Sequence, residues 1–116
     1  MTKLIFIGRI LLIIFLLICI GVHVTGLLSP FSDEPVWSHI VHLVSYIVCL
    51  LCMIRQTSFA WLAYTIGAIY PFIYHARCAW QQYEVYHRYS AICVFVVVMM
   101  PIGLALLWRK PDESTS

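Results

Sequence analysis

The stretch WSHIVHLVSYIVCLLCMI, residues 37–54, decides the fold of this chain. It contains no Lys, Arg, Asp or Glu. A helix needs about 20 predominantly apolar residues to cross the hydrocarbon core of a bilayer, and this stretch comes close to that length. We therefore predict that residues 37–54 belong to a transmembrane helix.

Two ionisable side chains, His39 and His42, lie at the start of this stretch. Residues three or four positions apart lie on one face of a helix. Continuing at that spacing adds Tyr46, Cys49 and Met53, which gives one polarisable stripe on an otherwise aliphatic helix. Ionisable groups inside a membrane span are costly, so this stripe is a candidate functional site.

The composition of the whole chain agrees with a membrane protein. Of its 116 residues, 63% are hydrophobic and only 10% are charged, against about 45–50% and 25% in soluble proteins. A net charge of +2 gives no basis for nucleic-acid binding. The chain has no phosphate-binding glycine loop, no H-E-x-x-H and no G-x-S-x-G sequence, and no nucleophile is paired with a base at a recognisable spacing. An enzymatic function is therefore disfavoured.

Four apolar runs predict an all-α integral membrane protein, a four-helix transmembrane bundle in a single domain. The spans are expected at residues 4–28, 36–54, 59–79 and 91–108, followed by a loose polar cytoplasmic tail at 109–116. The first run exceeds the apolar core of about 7–15 residues in a signal peptide and lacks an A-x-A-like cleavage site. It is therefore predicted to be an uncleaved span.

The connections between the spans differ in length and character. Residues 29–36, SPFSDEPV, indicate an exposed turn in which Ser32, Asp33 or the following Ser38 caps the second helix. The short link at 55–58 predicts antiparallel neighbours. Residues 80–90, WQQYEVYHRYS, are rich in Trp and Tyr and are expected at the membrane interface, either as a cap or as an extension of the third helix.

The third span has two features that bear on packing. Ala60, Ala63 and Gly67 form a stripe of small residues that would let a neighbouring helix approach closely. Pro71 removes one backbone donor and is expected to kink the helix.

The distribution of basic residues predicts the orientation. One side has five of them, Lys3, Arg9, Arg55, Arg109 and Lys110, and the other side has Arg77 and Arg88. By the positive-inside rule both termini are cytoplasmic. We expect a multi-pass protein of the cell membrane, specifically of the bacterial inner membrane.

This topology puts all five histidines toward the outer side. The candidate metal ligands are His39, His42, His75 and His23, with Glu84 and His87 as secondary candidates. Imidazole is the commonest metal ligand, and ligands from several helices converge in bundle cores. The compatible cofactors are zinc, copper, iron and haem b. The alternative is that these histidines pack at the interface without a ligand.

The five cysteines separate by depth. Cys19, Cys78 and Cys93 lie toward the outer side, where a disulfide would form if two of them approached closely. Cys49 and Cys52 form C-x-x-C within a span rather than at a helix N-terminus, where the helix dipole would activate the thiol. We interpret this pair as packing residues.

The best functional hypothesis is a transition-metal- or haem-binding membrane protein with a histidine cluster at the outer end of the bundle. The alternatives are a small transporter, or a non-catalytic membrane subunit or assembly factor. The small multidrug-resistance exporters couple protons through a glutamate in the first span, and no carboxylate lies within a span here. Expected partners are the lipid bilayer, with a homo-oligomer or a larger membrane complex as further options.

Overall fold

The computed structural model describes residues 2–29 and 32–108, and it is helical over most of that length. The elements are α1 (Thr2–Leu28), α2 (Val36–Arg55), α3 (Ala60–Tyr86) and α4 (Ala91–Leu107), with no strand among the described residues. The predicted all-α class with four helices is confirmed. The expectation for the polar tail at 109–116 concerns residues outside the described part.

The start of α2 corrects one expectation. The helix begins directly after Pro35, which occupies the N-cap position and makes no side-chain cap. Proline at a helix start costs little because its missing N–H would have no intrahelical partner there. Ser38 therefore lies inside the first turn, where it is buried, and its hydroxyl lies 2.8 Å from the hydroxyl of Tyr70 on α3. It joins two helices instead of capping one.

The third helix is longer than the predicted span. It continues through Pro71 to Tyr86 and ends where His87 adopts a left-handed conformation with φ 55°. Most of the predicted interfacial segment is thus a helical extension of α3. The next helix, α4, has a side-chain cap, because the Ser90 hydroxyl accepts a hydrogen bond from the backbone N–H of Cys93.

Consecutive helices pack side by side, and α1 also contacts α4. Residue pairs across α1 and α4 run in opposite directions along the two chains. A Cβ on Gly8 would touch Leu106, one on Gly103 would overlap Leu12, and the rings of Phe15 and Phe95 lie 5.3 Å apart. The helices therefore form a closed antiparallel arrangement, consistent with the short connections.

The buried face of α2 is the stripe that the sequence indicated. His39, His42, Tyr46, Cys49 and Met53 are all buried. The large side chains at the centre of the bundle come from every helix: Leu12 and Leu16, Tyr46 and Met53, Tyr64, and Met100.

Two glycines mark close approaches between helices. A Cβ on Gly67 would lie 3.3 Å from the backbone oxygen of Ser45, so the small-residue stripe of α3 does face α2 closely. A Cβ on Gly103 would overlap the hydroxyl of Tyr64, which donates a 2.9 Å hydrogen bond to the backbone oxygen of Met100. A Cβ would thus be tight against α2 at Gly67, whereas at Gly103 the neighbouring side chains would have to move.

The outer faces of the helices are apolar. Exposed Leu, Ile, Val, Phe and Trp side chains occur along all four. By length and composition, α1 (from Lys3 to Leu28) and α2 are apolar enough to cross a membrane, and the shorter α4 is also apolar. An exposed apolar surface this continuous is unusual for a monomeric soluble protein.

Candidate metal centre

Four histidines from three helices meet near one end of the bundle. His23 lies near the end of α1, His39 and His42 lie in the first turns of α2, and His75 lies in the second half of α3. All four are buried, and His42 is completely so. Antiparallel packing explains the meeting, since it brings the end of α1 and the second half of α3 beside the start of α2.

A glycine makes room for one of these imidazoles. A Cβ on Gly26 would overlap the ring of His39. The ring thus packs directly on the backbone of α1, where Nδ1 of His39 lies 2.9 Å from Nδ1 of His23. Because one of the two nitrogens must donate and the other accept, this contact fixes the two tautomers relative to each other.

The pair of histidines is connected to the loop before α2. The hydroxyl of Ser32 lies 2.7 Å from Nε2 of His39. If His39 donates from Nε2 to Ser32, its Nδ1 accepts from His23, and Nε2 of His23 keeps a free lone pair. Ser32 and His39 can therefore set His23 in the tautomer that a metal ion requires.

Glu34 lies among three imidazoles. Its Oε2 accepts a 2.8 Å hydrogen bond from Nδ1 of His42 and lies 3.7 Å from Nδ1 of His39 and 3.8 Å from Nδ1 of His23. Nδ1 of His42 also lies 3.0 Å from the backbone oxygen of Ser38. Both of these oxygens are acceptors, so Nδ1 of His42 carries the proton and its Nε2 carries the lone pair.

The surroundings of Glu34 keep it ionised. Burial raises the pKa of its carboxyl, but the Ser38 hydroxyl and the nearby imidazoles, His42 first, outweigh burial and lower that pKa below its ordinary value of 4.5. A carboxylate at this position is thus available to orient His42 at neutral pH.

Several aromatic rings pack against His42. Its ring stacks on His23 at 4.3 Å with an interplanar angle of 9°, and Tyr70 and Tyr74 meet it edge-on at 4.9 and 4.6 Å. Its Nε2 is buried and has no hydrogen-bonding partner among the described residues. Leaving a buried polar atom unpaired costs about 1–3 kcal/mol, so this nitrogen calls for an explanation.

His75 presents a second such atom. Its Nε2 lies 3.4 Å from the hydroxyl of Tyr46, a long hydrogen bond. Its Nδ1 is buried and has no partner within residues 2–29 and 32–108. The rings of His75 and His42 are 5.3 Å apart.

These positions give a set of potential metal ligands. His23, His42 and His75 can each offer one ring nitrogen, and the three nitrogens lie within 4.8 Å of one another. His23, Glu34 and His39 meet the same limit as a second set. Neutral imidazole suits zinc, copper, iron and nickel. The carboxylate that holds Nδ1 of His42 is the support that metal-bound histidines usually have.

The cluster does not fit a haem. A bis-histidine haem places the macrocycle between its two axial rings. Here His23 and His42 stack directly on each other at 4.3 Å, and His42 is closed in by tyrosines as well. An ion shared by His23 and His42 would require one of these two stacked rings to turn, because the lone pair of an imidazole nitrogen lies in the plane of its ring.

The secondary candidates lie elsewhere. Glu84 and His87 are exposed, at the far end of α3. The carboxylate of Glu84 accepts a 3.0 Å hydrogen bond from the indole of Trp80, and the ring of His87 lies edge-on to Tyr83. Neither contacts the four buried histidines.

The cysteines do not join the cluster as a ligand set. All five are free thiols, so Cys19, Cys78 and Cys93 form no disulfide with one another. Cys49 and Cys52 are buried, and the thiol of Cys49 donates to the backbone oxygen of Tyr64 at 3.7 Å. These contacts agree with packing roles.

Sequence reasoning missed Glu34 as a member of the site. Asp33 and Glu34 are adjacent in an irregular loop, so no periodicity distinguishes the carboxylate that turns inward from the one that stays exposed. It also missed Tyr70 and Tyr74 of α3 as neighbours of His42, whereas Tyr46, four residues after His42 on the same face, belongs to the predicted stripe.

No family model, curated protein or solved structure matches this chain. The interpretation of the site therefore depends on its own chemistry.

Proposed function

We propose that this chain is a multi-pass membrane protein that binds one divalent transition-metal ion through His23, His42 and His75. The ion lies at the outer end of a four-span bundle whose termini are both cytoplasmic. Glu34 and His39 hold the ligands in position. Zn²⁺ is the first ion to test, because three imidazoles plus one open position is a common zinc ligand set.

One observation carries the proposal. Nε2 of His42 is fully enclosed and unpaired among the described residues, and Nδ1 of the same ring is hydrogen-bonded to Glu34. A histidine that only packed at an interface would turn its nitrogens to water or to a protein partner. An ion bound to this nitrogen would remove the cost of leaving it unpaired. His75 has the same need at Nδ1.

The membrane part of the proposal is supported by the surface of the molecule. α1 has 27 residues, which corresponds to about 40 Å at 1.5 Å per residue and exceeds a hydrocarbon core of about 30 Å. Its His23 is buried inside the bundle, whereas Leu, Ile and Val side chains are exposed along its outer face. A bundle with buried histidines and an apolar outer surface is suited to a lipid environment.

Two imidazoles alone bind metal weakly, and a third ligand from another helix adds both affinity and geometry. Binding also ties α1, α2 and α3 together, because each supplies one ligand. We expect the bound ion to stabilise the folded protein in proportion to its free concentration.

Metal analysis of the full chain, purified in lipid nanodiscs and equilibrated with Zn²⁺, tests the proposal. We expect close to one equivalent in the wild type, and at least a tenfold weaker affinity in His42→Ala, because it loses a ligand. His87→Ala is the matched control: it removes an exposed histidine outside the cluster and should leave binding unchanged. Metal-free wild type, or equal losses in both variants, would contradict the proposal.

A further inference from the structure

A cavity of about 390 Å³ opens between α1 and α4. The two helices touch through the rings of Phe15 and Phe95, and the cavity lies on the histidine side of that contact. Its walls are apolar, with Ile18 and Val22 from α1 and Ile92 from α4. These three side chains are each more than half exposed, so the cavity opens on the apolar outer surface.

Three buried residues that carry polar atoms lie at the inner end of the cavity. His23, Tyr46 and His75 line it there. Cavities of about 300–1,000 Å³ with mostly apolar walls and a few polar groups are typical of small-molecule sites. The volume and the lining both meet that description.

The hydroxyl of Tyr46 makes only weak contacts with the described residues around it. Tyr46 is completely buried, and its hydroxyl lies 3.4 Å from Nε2 of His75. Its other neighbour is the thiol of Cys19, and sulfur is a weak hydrogen-bonding partner. A buried tyrosine hydroxyl usually has a good partner, so this one is under-satisfied.

We infer that this cavity binds a flat, lipid-soluble molecule that carries a hydrogen-bond-accepting oxygen, of the quinone or aromatic ketone class. The ring lies between the apolar walls beside Phe15 and Phe95. The oxygen accepts a hydrogen bond from the hydroxyl of Tyr46. The molecule enters sideways, from the apolar surface between α1 and α4.

Two other occupants suit the cavity less well. A phospholipid acyl chain has no polar atom at its end and would leave the hydroxyl of Tyr46 under-satisfied. A helix from a second copy is about 10 Å across and would not reach a polar end inside a cavity of this size. A ring that carries one oxygen can pack against the apolar walls and accept a hydrogen bond from the hydroxyl of Tyr46.

This inference goes beyond metal binding and does not depend on it. The cavity, which His23 and His75 line, and the hydroxyl of Tyr46 are both present without a bound ion. Binding of the ring can therefore be measured in metal-free protein, and its failure would leave the metal proposal intact.

The experiment uses the full chain in nanodiscs, with ¹³C-labelled isoleucine methyl groups, titrated with 2-methyl-1,4-naphthoquinone. We expect saturable shifts at Ile18 and Ile92, which line the cavity, and none at Ile47, which is exposed on α2. The hydrocarbon 2-methylnaphthalene has the same ring without oxygens. It should bind five- to tenfold more weakly, the loss expected for about one hydrogen bond.

Substitutions at Val22 and Tyr46 test the apolar walls of the cavity and the hydroxyl at its inner end separately. Val22→Trp should fill the mouth of the cavity and weaken quinone binding by about tenfold or more, whereas Val24→Trp, on the same helix but outside the cavity, should not. Tyr46→Phe should reduce the affinity for the quinone to that for the hydrocarbon. Non-saturable shifts, equal shifts at Ile47, or equal affinity for the two probes would overturn the inference.

Discussion

Nδ1 of His42 donates a 2.8 Å hydrogen bond to Oε2 of Glu34, eight residues earlier in the chain. This contact joins the loop before α2 to the most deeply buried imidazole of the molecule. It fixes the tautomer of His42 and leaves the lone pair on the buried Nε2. The affinity of the site should therefore depend on a residue that is not one of the three proposed ligands.

Glu34→Gln should weaken metal binding without abolishing it. The neutral amide keeps the size of the side chain but loses the charge that holds Nδ1 of His42. Loss of such a support typically costs 10–100-fold in affinity. A competition titration with a coloured zinc chelator measures this change. Asp33→Asn alters the exposed neighbour and should have little effect, and equal effects of the two would remove the special role of Glu34.

Stability should depend on pH through Glu34. The folded-state pKa of its carboxyl lies below the ordinary value of 4.5. The ionised form therefore stabilises the fold fully above pH 4.5, and this contribution is lost as the pH falls through the folded-state pKa. In metal-free protein, thermal unfolding from pH 7 to pH 3 should show the difference between wild type and Glu34→Gln shrinking toward acid pH. A difference independent of pH would show that the charge of Glu34 does not stabilise the fold.

Gly26→Ala should disrupt the cluster, because its Cβ would overlap the ring of His39. We expect destabilisation of about 1–3 kcal/mol, as for overpacking in other cores. Gly21→Ala is the matched control on α1, since a Cβ there meets nothing within 4 Å. It should be neutral or stabilising by about 0.5–1 kcal/mol, because alanine favours helix. Unfolding midpoints in denaturant distinguish the two, and equal midpoints would argue against the contact at Gly26.

The fold was largely predictable from the sequence because helix length and apolar runs carry that information locally. The predicted second span, 36–54, differs from α2 by one residue. The burial of His42 and Tyr46 followed from spacing on one helix face. The end of α3 was harder to predict, because Trp80 and Tyr83 suit an interface in either helical or irregular form.

The site was only partly predictable. Antiparallel packing was sufficient to bring His23, His42 and His75 to one level. Rotations of the helices about their axes decide whether side chains at one level meet, and residue spacing on single helices does not encode them. The inward position of Glu34 depends on the course of the irregular loop before α2. The position of His87 outside the cluster depends on how far α3 continues.

Gly103→Ala should loosen the other half of the bundle. Its Cβ would overlap both the hydroxyl of Tyr64 and a methyl group of Leu12. We expect a loss of about 1–3 kcal/mol in the free energy of unfolding. The metal affinity of the folded protein should stay unchanged, because the histidines lie at the opposite end. A loss of metal affinity in folded Gly103→Ala would mean that the two ends are coupled.

The proposed topology can be tested by labelling intact cells with a membrane-impermeant maleimide. Asp33 and Thr57 are both exposed, in the first and second connections. Asp33→Cys should be labelled from outside, and Thr57→Cys only after the cells are opened. Wild-type protein, with its own five free cysteines, gives the background. The reverse pattern would invert the topology, and equal labelling of both would argue against an odd number of spans between them.

The most direct test of the metal centre is X-ray absorption spectroscopy at the zinc edge of the loaded wild-type protein. We predict three imidazole nitrogens at about 2.0–2.1 Å and no sulfur ligand. In His42→Ala the imidazole count should fall by one, and in His87→Ala it should not change. A first shell that contains sulfur at about 2.3 Å, or one without imidazole, would contradict a site built from His23, His42 and His75.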